Sequence, residues 1–391
     1  MELVNPLTAF VFPGTWDAPL DIHGIGMKGV REKQGVSFSR HGFVQARDHG
    51  GDADAIGAAV RRALRPLSLP MLQVAREDYD ARKPGLFPRY FIVEPNASCN
   101  RRCIFCPILV TNRKGNMKWQ HFVKLMKECR KHWVYGISLY QLSEPFLWRG
   151  SAPGYNERYD ISDMVNVARH MGGFRAVNLS TNGDVPNLDC ILGSQLDDLI
   201  ISIDGTTAEV YDANRPSTKP NDTGAFERTI NRVRDFLKRK VARGDIRPFI
   251  RLQCINKENT AAQVVDFIRN WIDIPGVDDV LIKHLDSMRP WLGSSVVSDE
   301  EDAIKARIVA DMPCQHIYSV GSMVADGRFN ACAHDAYTEL TTAGANIDEM
   351  TFVEWWNGDY MNALRAEHEG KAAANRRLPC RECREMDTWL G

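Results

Sequence analysis

Long apolar runs and an export signal are both missing from this chain. No stretch approaches the ~18 consecutive apolar residues that a membrane-spanning helix needs. The first six residues, Met1 to Pro6, do not place a basic segment before an apolar one, as a secretory signal peptide would. We therefore expect a cytoplasmic protein without a membrane span.

The chain also lacks an excess of charge of either sign. It carries 49 lysines and arginines against 50 aspartates and glutamates, a formal net charge of −1. The basic residues are spread along the sequence, so no electrostatic footprint for a phosphate backbone is present. We therefore expect no nucleic acid among the partners of this protein.

Low-complexity tracts are absent, and 44% of the 391 residues are hydrophobic, which is enough for a sizeable core. The length allows one large domain with a smaller one, or two to three domains of ordinary size. Ten cysteines are the unusual feature of the composition. Because thiols stay reduced in the cytoplasm, they favour metal or redox chemistry over structural disulfides.

From about residue 89, strand-like and helix-like segments alternate. The candidate strands are Tyr90–Val93, 137–142, Ala176–Thr181, 199–204, 248–255 and 279–285. The candidate helices lie near Trp119–His132, 161–170, 188–192, 224–241 and 260–271. This rhythm predicts an α/β fold, a parallel sheet with helices on its outer face. The pattern alone does not distinguish an open sheet from a barrel.

Polar and apolar residues alternate along four of these strands. In the fourth strand, Leu199, Ile201 and Ile203 share one face, while Ser202 and Asp204 lie on the other. In a barrel, the apolar set packs outward against helices, and polar residues near the carboxyl ends of the strands face the interior. The sequence therefore predicts a polar inner face.

The remaining segments are less regular. Residues 1–88 contain short alternating pieces and an amphipathic pattern over 55–67, and we interpret them as an N-terminal extension. A structural cap is favoured there over a substrate-recognition module. Residues 89–288 are the predicted barrel, 289–313 a linker with a short helix over 299–310, and 314–391 a cysteine-bearing tail.

Three cysteines stand close together just after the first predicted strand. Three and then two residues separate Cys99, Cys103 and Cys106, which we name the cysteine triplet. Three thiolates on one short loop can ligate three irons of a 4Fe–4S cluster and leave the fourth iron open to an exogenous ligand. Zinc is the alternative, but structural zinc takes four ligands, and the possible fourth thiol, Cys129, lies in a helical pattern.

Polar motifs follow the next strands at the spacing of a known signature. They are Ser143-Glu144-Pro145, Ser180-Thr181-Asn182-Gly183 and Ser202-Ile203-Asp204-Gly205, followed by Arg215. Together with the cysteine triplet and the adjacent Phe105, this series resembles radical S-adenosylmethionine (SAM) enzymes, over roughly residues 89–391. Ser143 stands where these enzymes commonly have glycine, which leaves the local backbone conformation open.

The resemblance implies a partial six-unit (β/α) barrel of TIM type and a role for each motif. Glu144 would accept hydrogen bonds from the amino group of SAM. Thr181 or Asn182 would lie near the ribose. Phe105 would shield the cluster and the adenine, with core packing as the alternative. Ser202 and Arg215 would bind the methionine carboxylate.

Four cysteines in the tail form a second group, the tail cysteines Cys314, Cys332, Cys380 and Cys383. With the Asp326-Gly327 and Trp355-Trp356 segments between them, they resemble the auxiliary-cluster domain called SPASM in its longer form and twitch in its shorter one. Because no cysteine follows Cys383, the resemblance implies the twitch form with one additional 4Fe–4S cluster. On spacing alone, zinc would fit four thiols equally well.

The resemblance implies SAM and two 4Fe–4S clusters as cofactors, and an external electron donor such as flavodoxin or ferredoxin. A single auxiliary cluster is similar to that of the amino-cyclitol dehydrogenases of the butirosin type. The leading hypothesis is therefore an oxidoreductase of natural product biosynthesis that oxidises a secondary alcohol of a sugar or cyclitol, with the auxiliary cluster as electron acceptor. Such a step needs a base, and the candidates near the ends of the last two strands are Arg251, Gln253, Lys283, His284 and Arg289.

Three other functions stay open. A radical epimerase would return hydrogen from a cysteine, and Cys129, Cys190 and Cys254 remain for that role, although each is more typical of a buried small hydrophobe. A peptide-modifying maturase would usually carry a leader-binding domain, which residues 1–88 do not obviously resemble. Outside catalysis, the chain could be a zinc-binding structural protein.

Overall fold

The computed structural model describes residues 30–32, 35–37, 84–111, 113–151, 158–284, 313–370, 376–377 and 379–383. The chain divides into two compact units, Met1–Leu69 with Gly391, and Pro70–Leu390. In the first unit, β1 (Val30–Glu32) pairs antiparallel with β2 (Gly35–Ser37). The predicted helices over 55–67 and 299–310, and Arg289, lie outside the described residues. The domain boundaries therefore stay predictions.

In the second unit, the described residues form one sheet of eight strands. Its strands are β3 (Tyr90–Val93), β4 (Gly136–Ser138), β7 (Ala176–Thr181), β8 (Asp198–Ser202), β9 (Phe249–Asn256), β10 (Asp279–His284), β11 (Val320–Met323) and β12 (Phe329–Asn330). The order is β10-β9-β8-β7-β4-β3-β11-β12, and only β11 and β12 pair antiparallel. Two short strands, β5 (Gly150–Ser151) and β6 (Arg158–Tyr159), form a separate ribbon. The predicted run of six parallel strands is confirmed.

Helices connect these strands. They are α1 (Trp119–His132), α2 (Ile161–Val167), α3 (Ala208–Asn214), α4 (Ala225–Ala242), α5 (Glu258–Ala261), α6 (Val264–Trp271), α7 (His316–Ser319), α8 (Phe352–Trp356) and α9 (Asp359–Gly370). In α1, Phe122, Leu125, Met126 and Cys129 recur at helical spacing and are fully buried. No helix in the described part of the chain is long and apolar enough to cross a membrane.

The two faces of the sheet differ as the alternation predicts. Leu179, Leu199 and Leu252 are fully buried and belong to the hydrophobic core on the helix side. Each such side chain contributes roughly 1.5–3 kcal/mol through burial. On the inner face, the Tyr90 hydroxyl accepts a hydrogen bond from Asn178 Nδ2 at 2.6 Å. The inner face is therefore polar.

Some elements are shorter than predicted. The strand predicted over 137–142 ends at Ser138, although the Leu139 N–H still donates to the Asn178 carbonyl at 2.9 Å. The segment near 188–192 is a 3₁₀ turn, Leu188–Ile191, instead of an α-helix. The helix predicted over 161–170 leaves α geometry at Ala168 and continues as a wider π turn. These ends are where local patterns are least informative.

The tail contributes a strand to the barrel sheet, which the sequence did not predict. β11 lies parallel to β3, with Val320 opposite Tyr90 and Met323 opposite Val93. Gly321 allows this approach, because a Cβ at this position would lie 2.6 Å from the ring of Phe91. A four-residue strand that contains glycine carries too weak a local signal to be predicted.

Candidate active site

The loop that carries the cysteine triplet follows β3 and is fixed to the end of α3. The Arg102 N–H donates to the Pro216 carbonyl at 2.8 Å, and the Ile104 N–H donates to the Asn214 carbonyl at 3.1 Å. The segment after β8 therefore sets the shape of the loop after β3. Because all these strands are parallel, both segments lie at the carboxyl edge of the sheet.

Nitrogen donors point at two sulfurs of the triplet. The Arg101 backbone nitrogen lies 3.4 Å from Cys99 Sγ, and Asn182 Nδ2 lies 3.7 Å from the same sulfur. Arg215 Nη1 lies 3.6 Å from Cys103 Sγ. Hydrogen bonds to sulfur stabilise a thiolate and tune iron–sulfur clusters. These surroundings fit a group that holds the sulfurs ionised.

The three thiols of the triplet influence one another. Burial raises the pKa of Cys99 to about 12, and the Glu144 carboxylate and the other two thiols add to the rise. Burial raises the pKa of Cys106 to about 11, with a further contribution from Cys103. As free thiols, both are protonated at neutral pH. A metal group bound here must displace their protons.

Glu144 lies beside the triplet and is only 1% exposed. Its Oε1 accepts hydrogen bonds from the Thr181 hydroxyl at 2.9 Å and the Phe146 N–H at 3.2 Å, and its Oε2 accepts from the Asn182 N–H at 2.8 Å. Burial outweighs these bonds and raises the pKa of Glu144 to about 7. A carboxylate has about four acceptor positions, so Oε2 can take one more donor.

Ser143 is not among the described residues with positive φ, so serine is accommodated.

Arg215 is held by Asp204, a partner that the sequence analysis did not predict. Arg215 Nε and Nη2 contact Asp204 Oδ2 at 2.7 and 2.6 Å, and Asp204 Oδ1 accepts from the Ile255 N–H at 2.7 Å. Burial opposes the charge on Arg215, but Asp204, Cys103 and Tyr211 together outweigh burial, and the pKa of the guanidinium is raised. Ser202 is 7% exposed and accepts a hydrogen bond from Gln253 at 3.3 Å.

Two cations lie close to the ring of Phe105, and one of them, Lys257, was not predicted from the sequence. The Arg215 guanidinium carbon is 5.7 Å from the ring centroid, and Lys257 Nζ is 5.2 Å from it. Burial lowers the pKa of Lys257, against the effect of nearby Asp204 and Cys103. Lys257 comes directly after β9. Its position after the carboxyl end of a parallel strand was the available signal.

Asp184 is a second missed residue. Its carboxylate accepts from Arg101 Nη2 at 2.5 Å, from Arg228 Nε and Nη2 at 2.9 Å, and from Arg232 Nη1 at 2.5 Å. Arg101 belongs to the triplet loop and its side chain is 0% exposed, while Arg228 and Arg232 lie one turn apart on α4. Asp184 therefore ties the triplet loop to a long helix.

The four tail cysteines also lie close together. Burial and then the other three tail cysteines raise the pKa of Cys332. The Cys383 N–H donates to the Cys380 carbonyl at 3.3 Å, which closes the Cys-x-x-Cys turn. The Cys314 N–H donates to His368 Nδ1 at 3.2 Å. Four thiols therefore converge from three separate segments of the tail.

Both groups of cysteines fit a cluster by their chemistry. Among the described residues, no three His, Cys, Asp or Glu side chains converge closely enough to hold one metal ion. In a 4Fe–4S cluster each thiolate binds a different iron, so the ligand sulfurs stand further apart than around a single ion. Each group consists of thiols, which are the ligands that such clusters take.

Comparison with known proteins gives matches among solved structures alone. Neither a protein-family model nor a curated protein matches the sequence. Streptococcus suis SuiB bound to S-adenosylmethionine aligns with 13% identity over 75% of this chain and 72% of its own, with a TM-score of 0.53. SuiB bound to the precursor peptide SuiA aligns with 12% identity over 82% of this chain and 74% of its own, with a TM-score of 0.52. BtrN in complex with AdoMet and 2-DOIA aligns with 15% identity over 76% of this chain and 92% of its own, with a TM-score of 0.43.

The chain has the fold of the SuiB structures, a partial barrel built on a parallel sheet. The predicted partial barrel is thereby confirmed, since these structures align with three quarters of the chain at TM-scores of 0.53 and 0.52. A barrel of this kind places the carboxyl ends of its parallel strands at one edge. This common edge is why the triplet, Glu144, Asn182 and Arg215 meet although they are far apart in sequence.

Four of the five candidates for the base lie on β9 and β10, the last two of the six predicted strands: Arg251, Gln253, Lys283 and His284. Arg251 Nη2 binds Asp198 at 3.1 Å, and its Nε lies 3.5 Å from Asp279, near the amino end of β9. These ion pairs indicate a structural role for Arg251. Lys283 and His284 are the last two residues of β10, at the edge that carries the triplet loop. Their catalytic roles stay predictions.

The three remaining cysteines differ in burial. Cys129 on α1 and Cys254 on β9 are fully buried in the hydrophobic core. Cys190 is partly buried in the 3₁₀ turn Leu188–Ile191 and packs against the same core. The structural interpretation therefore suits Cys129 and Cys254, and it leaves the hydrogen-donor role required for epimerisation without support from either.

Proposed function

We propose that this protein is a radical SAM enzyme whose cysteine triplet holds a 4Fe–4S cluster. The observation that carries the proposal is the convergence of three thiols, one buried and two partly buried, with nitrogen donors to two of their sulfurs and Glu144 at one edge of the barrel. When bound, the first cluster with SAM supplies a 5′-deoxyadenosyl radical, and a cluster on the tail cysteines supplies an electron acceptor.

The residues around the triplet are suited to hold SAM. Glu144 Oε2 has an acceptor position left for the amino group, and Asn182 bridges Glu144 and Cys99. Asp204 holds the Arg215 guanidinium so that Arg215 Nη1 is directed toward Cys103. The methionine carboxylate of SAM would pair with the positive charge of Arg215 there. Phe105, close to Arg215 and Lys257, would cover the adenine.

The reaction that we propose is oxidation of a secondary alcohol on a sugar or cyclitol. The inner face of the barrel carries hydroxyl and amide groups, among them Tyr90, Ser138 and Asn178, which hydrogen-bond one another. Such groups suit a polyhydroxylated substrate better than an apolar one. The substrate would lose one hydrogen atom from carbon to the 5′-deoxyadenosyl radical, one proton from oxygen to Lys283 or His284, and one electron to a cluster on the tail cysteines.

Peptide modification is the second candidate. It is supported by the SuiB structure bound to a precursor peptide, whose fold matches this chain over 82% of its length. The two candidates place different substrates over the same radical site. A mixed panel of sugars, cyclitols and peptides therefore distinguishes them by which class of compound is modified.

The decisive experiment is anaerobic incubation of the iron-loaded protein with SAM, a flavodoxin or chemical reductant, and a panel of sugars, cyclitols and peptides. Release of 5′-deoxyadenosine together with a sugar or cyclitol product that has lost two hydrogens would support the proposal. A peptide that alone loses two hydrogens would favour peptide modification, and an unchanged mass with a new retention time would favour epimerisation. A colourless protein that binds zinc would refute radical chemistry altogether.

A further inference from the structure

A buried polar cluster lies at the ends of β3 and β4. Glu94 directly follows β3, Gln141 lies beyond β4, and Arg113 joins them, so we name these three side chains the strand-end clamp. Arg113 Nη1 donates to Glu94 Oε1 and to Gln141 Oε1, each at 3.0 Å. The side chains of Arg113 and Glu94 are 6% and 1% exposed. The ion pair of Arg113 with Glu94 is therefore desolvated, and its hydrogen bond matters more than it would in water.

The clamp holds the segment of the tail that follows Cys332. Arg113 Nη2 donates to the Asp335 carbonyl at 3.1 Å, and Gln141 Nε2 donates to the Ala333 carbonyl. Both carbonyls lie within three residues of Cys332 in sequence. The position of this tail cysteine is thus set by side chains that belong to the barrel.

The carboxylate of the clamp also holds the end of β11. Glu94 Oε2 accepts from the Ala325 N–H at 3.4 Å, and the Glu94 N–H donates to the Met323 carbonyl at 3.0 Å. The clamp therefore fixes the tail at two places. Neither contact belongs to the set of residues that would hold SAM.

We propose that Arg113 is a positioning residue that couples the two groups of cysteines during turnover. This inference rests on the proposed function. Arg113 lies seven residues after Cys106, and its rigid fork reaches a carbonyl three residues after Cys332. A lysine would keep the charge near Glu94 but could not bridge the same acceptors. Misplacement of a reacting group by ~1 Å can cost about a hundredfold in rate. With a displaced tail, 5′-deoxyadenosine would therefore form without a matching amount of product.

The test compares Arg113→Lys with Arg243→Lys in the full-length, iron-loaded protein. Arg243 forms an exposed ion pair with Asp245, so its variant should behave as wild type. In Arg113→Lys, SAM cleavage without substrate should match wild type, while product formed per 5′-deoxyadenosine should fall by about tenfold or more. Hydrogen–deuterium exchange over residues 333–340 should rise, because the turn bonds there depend on Asp335.

Each outcome bears on the proposal. An unchanged ratio of product to 5′-deoxyadenosine would overturn it, even if iron loading or stability fell, because a purely structural role lowers both yields together. If Arg113→Lys does not fold, Gln141→Leu removes one bond to the same segment and should lower the ratio in the same direction. A wild-type protein that releases no 5′-deoxyadenosine would refute the proposed function itself, and the coupling with it.

Discussion

At the scale of single residues, carboxylates that hold arginines organise the site. Asp184 gathers three guanidinium groups and Asp204 fixes a fourth. A buried guanidinium without a partner costs several kcal/mol, so the buried Arg101 and Arg215 each require such a carboxylate. From the motifs after β7 and β8 we predicted residues that would contact SAM. Asp184 and Asp204 instead bind the arginines that surround the triplet.

Replacing Asp184 by asparagine should destabilise the protein and impair loading of the triplet. Arg101, whose side chain is fully buried, would lose its carboxylate. Breaking a buried pair in this way costs about 3–5 kcal/mol. Chemical denaturation should show a loss of that order, while the control Asp245→Asn, in an exposed ion pair, should lose at most about 1 kcal/mol. Equal losses in both variants would contradict this account.

Glu144 should make stability depend on pH. Its pKa rises from 4.5 to about 7 on folding. A carboxyl with a raised pKa stabilises the folded state while protonated, so the contribution is fully present below pH 4.5 and is lost as pH rises through about 7. In the absence of metal, the free energy of unfolding of wild type should therefore fall between about pH 5 and about pH 8, by on the order of 3 kcal/mol more than in Glu144→Gln.

Urea denaturation at a series of pH values measures this difference. Glu209→Gln, at an exposed position of α3, serves as the control and should keep the dependence of wild type. Parallel curves for wild type and Glu144→Gln would show that the raised pKa is not the cause.

At the scale of elements, the joint between tail and barrel is β11 on β3. Helix and strand periodicity predicted the six barrel strands because each has an amphipathic helix beside it. β11 has four residues, and its pairing depends on a partner more than two hundred residues away. Local sequence cannot encode such a pairing, and the fit of Gly321 against Phe91 is a property of the folded chain alone.

Gly321→Ala should loosen this joint. The added Cβ would lie 2.6 Å from Phe91 and 2.9 Å from Phe352, which is closer than side-chain contacts allow. Overpacking of this kind costs about 1–3 kcal/mol. Thermal unfolding should show a lower midpoint, whereas Val241→Ala, at an exposed position of α4, should change stability by no more than about 0.5 kcal/mol. An unchanged midpoint in Gly321→Ala would mean that the joint yields without strain.

At the scale of the whole molecule, the proposed function makes the two groups of cysteines a system with two metal sites. The triplet comes from one loop, whereas the tail cysteines come from three segments that span 70 residues from Cys314 to Cys383. The strand-end clamp joins the tail segment after Cys332 to the barrel edge. A change at either site should therefore separate radical formation from product formation.

Iron content tests this arrangement. The anaerobically purified protein should contain about eight irons per chain, and Cys103→Ala should contain about four and release no 5′-deoxyadenosine. The double variant Cys380→Ala with Cys383→Ala should also contain about four irons, yet still release 5′-deoxyadenosine while making no product. An iron content of about four per wild-type chain would contradict the presence of a second cluster.

The sequence by itself determined the parallel strands, the outward apolar faces, the triplet and the motif residues that meet it. These features are encoded locally, by periodicity and by short spacings such as those of Cys99, Cys103 and Cys106. Only the tertiary structure decided that Asp204 and Asp184 hold the arginines, that Lys257 flanks Phe105, and that β11 and the clamp join the tail to the barrel. Those contacts link residues far apart in the chain, and their geometry exists only after the parallel sheet has brought its strand ends to one edge.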